Sequence, residues 1–149
     1  LVAMVRVKTD TGTKQALLTG DIQKSAMTEL VVFDDRAIAA HVPSTQQSPL
    51  LHADILELPH HGSLKPAALA FVDRVDPKIV LQSTGLRRAA TVGWNAQRME
   101  RIWWTTAFDG QAWVEVHADG SMRTGSIRTG LTRSQTQDLF LSADGDVRR

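Results

Sequence analysis

The chain has 149 residues, of which 42% are hydrophobic, and this is enough to bury one core of ordinary domain size. Seventeen Lys and Arg against sixteen Asp and Glu leave a formal net charge of +1, so no large field directs the whole molecule toward nucleic acid or anionic lipid. Because the chain has no cysteine, disulfides and thiolate metal sites are excluded, and a metal would be held by His, Asp, Glu, backbone or water.

Apolar periodicity and turn residues predict alternating strands and helices along the chain. The predicted elements, in chain order, are strands 2–8 and 15–19, a helix 22–33, a polar loop 40–49, a strand 53–58, a helix from 63 to 76, a strand 78–83, a loop 85–93, a helix 95–103, and strands 104–106, 111–117 and 121–127. This order is typical of an α/β chain that ends in a small β-meander. Its functional loops are expected at the carboxyl ends of the strands.

From residue 128 onward the composition turns polar, with one short apolar segment at 139–141. Such a segment lacks the apolar surface that holds a chain end in place. We therefore divide the chain into a domain over residues 1–127 and a weakly ordered polar tail over residues 128–149. No apolar run approaches the ~20 residues that span a bilayer, which predicts a soluble domain.

Two short motifs, each at the end of a predicted strand, contain the residue types that a metal hydrolase uses. The first is the TGD motif at 19–21, and the second is the PHHGS motif at 59–63. A carboxylate at one strand end and imidazoles at the next would suit a metal if they converge. Asp21 also has a purely structural alternative as a helix cap. His60 and His61 have one as hydrogen-bonding partners of the loop backbone.

Three basic residues and one serine are further candidates for this site. Arg87 and Arg88, with Lys65, are candidates for a phosphate-binding rim, since guanidinium groups match phosphate oxygens. Their structural alternative is solvation in a surface loop. Ser63 is interpreted as a helix N-cap, because no acyl-transfer constellation surrounds it.

The succession of segments resembles the C-terminal half of a metallo-β-lactamase fold. Within that superfamily it is most similar to the domain attached to the ComEC family of DNA-uptake channel proteins, over roughly residues 2–127. The segments that carry the resemblance are LLTGDI, ADILELPHHGS, DPKIVLQSTG and WWTTAFDGQAWVEV. The resemblance implies an αββα sandwich with a dinuclear zinc or manganese site that supports hydrolysis of phosphodiesters. It also implies DNA as a partner and attachment to a bacterial inner-membrane protein.

The resemblance also implies roles for individual residues. Asp21 matches the carboxylate that bridges two metals, and His60 and His61 match the histidine pair, of which one is a ligand or a general acid. By this resemblance, His60 and His61 are the expected catalytic residues, and Asp21 and His61 are the expected metal ligands.

Two departures from the family pattern shape the expected activity. The family's His-x-His-x-Asp-His motif does not occur in this chain, and the segment 93–95 reads Gly-Trp-Asn where the family has Gly-His-Pro. Because tryptophan cannot ligate a metal, we expect a chain that is incomplete or inactive by itself. We expect an upstream half-domain or a second copy to cover the exposed sheet face. The alternative is a non-catalytic nucleic-acid-binding or scaffolding module with a degenerate metal site.

Overall fold

The structure is a computed structural model, and it describes residues 1–40, 49–127 and 132–134. These residues form eight strands and five α-helices. The strands are β1 (Ala3–Thr9), β2 (Gly12–Leu18), β3 (Ile55–Glu57), β4 (Ile79–Gln82), β5 (Ile102–Thr105), β6 (Ala112–Val116), β7 (Met122–Ser126) and β8 (Thr132–Ser134). The helices are α1 (Lys24–Ala40), α2 (Pro66–Val75), α3 (Leu86–Ala89), α4 (Asn95–Glu100) and α5 (Thr106–Asp109).

The central element is a five-stranded sheet in the order β1-β2-β3-β4-β5. The predicted hairpin pairs β1 with β2 antiparallel, whereas β2, β3, β4 and β5 are mutually parallel. A parallel pair needs a crossover, which α1, α2 and the α3–α4 segment provide. The predicted α/β class is confirmed as a mixed fold with a mostly parallel sheet. Parallel order also places the carboxyl ends of β2, β3 and β4 at one edge.

One face of this sheet is covered by the two long helices. Met27 of α1 and Phe71 and Val72 of α2 are buried against Leu17 and Leu56 of the sheet. Complete burial of a side chain of this size contributes about 1.5–3 kcal/mol relative to exposure. The helix-side core therefore anchors the two strands that precede the TGD and PHHGS motifs.

A second, three-stranded sheet in the order β6-β7-β8 covers part of the opposite face. Ile55, Ile79, Ile102 and Trp104 pack there against Met122 of the small sheet. These residues alternate with those on the helix side, as expected for strands buried on both faces. The described part of the molecule thus has three layers, with helices, the large sheet and the small sheet stacked in that order.

The edge of the large sheet formed by β1 is less covered. Val5, which pairs with Ala16, together with Val7 and Leu18, is 41–45% exposed. Ala16 packs with the core against the small sheet, so by strand alternation these side chains share that face. An apolar strip therefore extends beyond the part of the large sheet that the small sheet covers.

The first helix begins and ends later than predicted. The predicted range was 22–33, whereas α1 runs over Lys24–Ala40. Asp21 lies three residues before its start, so the structural alternative of an N-cap role for Asp21 is wrong. The predicted loop at 40–49 falls mostly on residues 41–48, outside the described residues. Among the described residues, no helix is long and apolar enough to cross a membrane.

The prediction of a helix over 95–103 is wrong in its second half. Helix α4 ends at Glu100, and Ile102 and Trp103 belong to β5, where they pair in parallel with Ile79 and Val80. A short apolar run fits a helix or a strand equally well by spacing alone. Here the pairing of Ile102 and Trp103 with the buried strand β4 selects the strand conformation.

Two smaller predictions also need correction. The predicted loop 85–93 contains α3 and overlaps a 3-10 turn at Val92–Trp94. Ser63 does not cap α2, because the helix starts at Pro66 and Lys65 occupies the cap position without a side-chain bond. Proline at the first helical position is already set to helical geometry and has no N–H to satisfy.

The polar tail is described only at residues 132–134. There β8 pairs antiparallel with β7 and adds a third strand to the small sheet. This strand was not predicted. The remainder of the predicted weakly ordered tail at 128–149 lies outside the described residues.

Candidate metal centre

The site forms where three parallel strands end. Asp21 follows β2, the PHHGS motif follows β3, and Ser83 follows β4. Asp21 Oδ1 lies 3.1 Å from His61 Nε2, and His61 Nδ1 lies 2.8 Å from the carbonyl oxygen of Ser83. The structure therefore brings together one residue from each predicted motif.

The chemistry of these contacts constrains His61. The Ser83 carbonyl can only accept, so Nδ1 of His61 must carry the hydrogen. In a neutral ring, Nε2 is then a lone pair that faces a carboxylate oxygen of Asp21, and two acceptors at 3.1 Å repel each other. The contact is favourable only with a proton or a cation at Nε2. A histidine that binds a metal through one ring nitrogen usually donates the N–H of the other to an acceptor such as a backbone carbonyl.

His60 occupies a different position from its neighbour. Its backbone N–H donates to the carbonyl oxygen of Gly20 at 3.0 Å, which ties the second motif to the first. Its ring stands edge-on to that of His61, with 6.5 Å between the ring centroids. Within the described part of the chain, Asp21 has its contact with His61 and not with His60. Adjacent histidines in the sequence are therefore not equivalent in the site.

The histidine turn has an unusual backbone. His60, His61 and Gly62 have φ values of 49°, 57° and 76°, and such left-handed geometry is disfavoured for residues with a Cβ. Strain at a non-glycine residue costs on the order of 1–3 kcal/mol and is retained only where the surroundings enforce it. The surroundings must therefore hold this turn.

Side chains from residues 82–94 hold the turn through its carbonyl groups. Arg88 Nη1 donates to the carbonyl of His60 at 3.1 Å, Gln82 Nε2 lies 3.4 Å from that of His61, and Trp94 Nε1 donates to that of Gly62 at 2.9 Å. We call Gln82, Arg88 and Trp94 the carbonyl clamp. Three consecutive carbonyl groups thus each have a side-chain donor.

Gln82 of the clamp is buried, with 1% exposure. Its Oε1 accepts from Trp103 Nε1 at 2.9 Å and from Arg98 Nη2 at 3.3 Å. A buried amide with partners on both ends is held in one orientation. Sequence reasoning missed Gln82. The available signal was a glutamine at the end of the apolar run 79–81.

Trp94 is fully buried and stacks at a tilt on Trp103, with centroids 5.6 Å apart. It lies in the segment where the resemblance implies a histidine ligand. Here its indole donates to the Gly62 carbonyl instead. The residue supports the turn through packing and one hydrogen bond.

A cavity of about 710 Å³ opens beside His61 and is lined by the segment after β4. Arg87 and Arg88 line it, and both also line a neighbouring cavity of about 330 Å³. Arg88 is engaged by the His60 carbonyl, whereas Arg87 makes no hydrogen bond or ion pair with a described residue. Lys65 lines neither cavity. Of the three predicted phosphate ligands, Arg87 is the one that lines both cavities and has no side-chain partner among the described residues.

Asp21 and His61 fit part of a coordination sphere for zinc or manganese. Carboxylate oxygen and imidazole nitrogen are ligands that both metals accept. Among the described residues, no group of three or more His, Cys, Asp or Glu is placed to hold a metal ion. A four-coordinate or six-coordinate ion would need further ligands beyond these two.

Comparison with known proteins gives one curated relative. The chain is 31% identical over 127 residues to a protein of Escherichia coli (strain K12) called "Uncharacterized protein YcaI", and the match covers 82% of this chain. It spans about 15% of the length of that relative. No family model and no solved structure matches the chain.

Proposed function

We propose that this chain is the C-terminal half of a metallo-β-lactamase-fold hydrolase domain of the ComEC-like branch, and that the completed domain cleaves phosphodiester bonds in DNA. The observation that carries the proposal is the 3.1 Å contact between Asp21 Oδ1 and His61 Nε2. The two residues come from motifs that are 40 positions apart in sequence, and their facing acceptors need a proton or a cation between them.

The layer order supports the same fold. Helices, the large sheet and the small sheet are three of the four layers of an αββα sandwich. The exposed strip of Val5, Val7 and Leu18 lies on the sheet face where the rest of the second sheet would pack. The proposed occupant of that face is an upstream half-domain. A second copy of the chain is the alternative occupant.

In the proposed site, Asp21 and His61 hold a divalent zinc or manganese ion together with ligands from outside the described residues. Such an ion supplies Lewis-acid activation of water and of a phosphoryl oxygen. The carbonyl of Ser83 keeps the His61 ring in the tautomer that presents Nε2. Arg87 binds the phosphate from the cavity wall.

The first experiment is calorimetric titration of Zn²⁺ and Mn²⁺ into the 149-residue chain. We expect Asp21→Asn and His61→Ala each to weaken binding at least about 10-fold, since each removes a ligand. His60→Ala is the matched control, and we expect it to stay within about twofold of the unsubstituted chain. Equal losses for His60→Ala and His61→Ala would contradict the assignment.

The second experiment measures DNA hydrolysis by the longer protein that contains this domain. We expect chelator to abolish cleavage and added Zn²⁺ or Mn²⁺ to restore it. Nuclease activity that survives chelator, in a protein with no bound transition metal by plasma mass spectrometry, would reject the proposed mechanism.

A non-catalytic nucleic-acid-binding module is the second candidate. The observation that favours it is Arg87, which lines an open cavity and has no side-chain partner among the described residues. In that case Arg87→Ala weakens DNA binding and lowers the salt dependence by about 0.9 in the log–log slope per lost phosphate contact. His61→Ala leaves DNA binding unchanged. Loss of hydrolysis in His61→Ala with intact DNA binding would favour the enzyme.

A further inference from the structure

We propose that Glu57 is the positioning residue of this site: its carboxylate holds the TGD turn so that Asp21 meets His61, and it thereby sets the affinity for the divalent cation. The part of the inference that concerns the metal rests on the proposed function. The part that concerns the Asp21–His61 contact rests on geometry alone. Glu57 ends β3, directly before the segment that leads to the histidine turn.

The Glu57 carboxylate binds the backbone of the turn at two points. Its Oε2 accepts from the N–H of Thr19 and from the N–H of Gly20, both at 3.0 Å. Hydrogen bonds to an ionised acceptor are stronger than neutral ones. One carboxylate oxygen therefore fixes the N–H groups of the two residues that precede Asp21.

Two further hydrogen bonds join the TGD turn to the β3 segment, one donated from each side. The hydroxyl of Thr19 donates to the Glu57 carbonyl at 2.7 Å, and the N–H of His60 donates to the Gly20 carbonyl at 3.0 Å. Thr19 is fully buried. The backbone of Gly20 is thus held at its N–H by Glu57 and at its carbonyl by His60.

Asp21 has little else to determine its position. Its side chain is 73% exposed, and its contact with the rest of the described chain is the one with His61. An exposed carboxylate without packing samples several rotamers unless its backbone places it. The backbone immediately before it is the part that Glu57 holds. The distance between the two proposed ligands therefore depends on Glu57.

The test compares Glu57→Leu, which removes the acceptor, with Glu57→Gln, which keeps one oxygen without the charge. Glu29→Gln is the matched control, because Glu29 is exposed on α1. The geometric readout, in the metal-free chain, is the NOE between the imidazole protons of His61 and the β protons of Asp21. The second readout is the Zn²⁺ dissociation constant by calorimetry.

We expect the NOE to be lost in Glu57→Leu, weakened in Glu57→Gln and unchanged in Glu29→Gln. We expect Zn²⁺ binding to weaken about 10-fold or more in Glu57→Leu, the usual effect of removing a residue that orients a ligand, and less in Glu57→Gln. A purely structural role would lower thermal stability and leave the NOE and the dissociation constant of the folded chain unchanged.

The outcomes separate the two proposals. If the unsubstituted chain binds no Zn²⁺, the metal assignment fails while the NOE series still decides the positioning role. A full-intensity NOE in folded Glu57→Leu overturns that role whatever the metal data show. If Glu57→Leu does not fold, Glu57→Gln decides, and an NOE and Zn²⁺ affinity equal to those of Glu29→Gln overturn the proposal.

Discussion

Replacement of Gly62 by alanine tests how tightly the histidine turn is enclosed. Gly62 has a φ of +76°, and a Cβ built there lies 2.2 Å from Gln82 Nε2 and 2.8 Å from Leu58 Cδ2. Left-handed geometry costs a residue with a Cβ about 1–2 kcal/mol. Inserting a methyl group into filled space adds about 1–3 kcal/mol. We therefore expect Gly62→Ala to lower the free energy of unfolding by about 2–5 kcal/mol.

Two other glycines separate the contributions to this loss. Gly20 has a φ of +53° and only one atom, at 3.9 Å, near its built Cβ, so Gly20→Ala reports backbone strain alone. Gly85 has no positive φ and no atom within 4 Å, so Gly85→Ala should change stability by less than about 0.5 kcal/mol. Urea unfolding monitored by tryptophan fluorescence gives all three values on one scale.

The order of the three losses decides the interpretation. We expect Gly62→Ala to cost most, Gly20→Ala about 1–2 kcal/mol, and Gly85→Ala least. If Gly62→Ala costs no more than Gly20→Ala, then Gln82 does not press against the turn, and the enclosure inferred from the carbonyl clamp is wrong.

Two further predictions concern single hydrogen-bonding groups. Trp94→Phe replaces the indole by a smaller aromatic ring and leaves the Gly62 carbonyl without its donor, so we expect the unpaired carbonyl alone to cost about 1–3 kcal/mol in urea unfolding; a loss below the scatter of repeat measurements would contradict it. Two hydrogen bonds from Ser121 lower the pKa of Asp119, and the bond from the Ser121 side chain has a larger effect than the bond from its backbone N–H. Stability from this shift is present above the unfolded-state pKa and is lost as pH falls through the folded-state value. Ser121→Ala should raise the pKa of Asp119 toward its ordinary value by NMR titration, and an unchanged pKa would refute this cause.

The sequence was most informative where a residue type and a strand end coincided. The apolar run at 79–81, bounded by Pro77 and Gly85, predicted a buried strand, and the polar residues after each strand predicted one shared edge. The expected convergence of Asp21 with the histidine pair follows from parallel order and is found for His61. The metal assignment of these residues stays a prediction.

Other features depended on contacts that no local pattern contains. Glu57 and Gln82 find their partners across the sheet, 37 and 21 positions away in sequence. His60 and His61 have the same residue type and differ only in where a left-handed turn points them. Periodicity could not distinguish helix from strand at Ile102, because the deciding partner is β4.

The outer strand β1 determines how this sheet can grow. It offers seven residues of main chain that no described strand pairs on the far side, which invites the addition of another strand. Arg6 and Lys8 are exposed on it, so two copies meeting edge to edge would bring like charges together and repel. Strand addition at the β1 edge therefore favours a neutral or acidic segment over the β1 strand of a second copy of the chain.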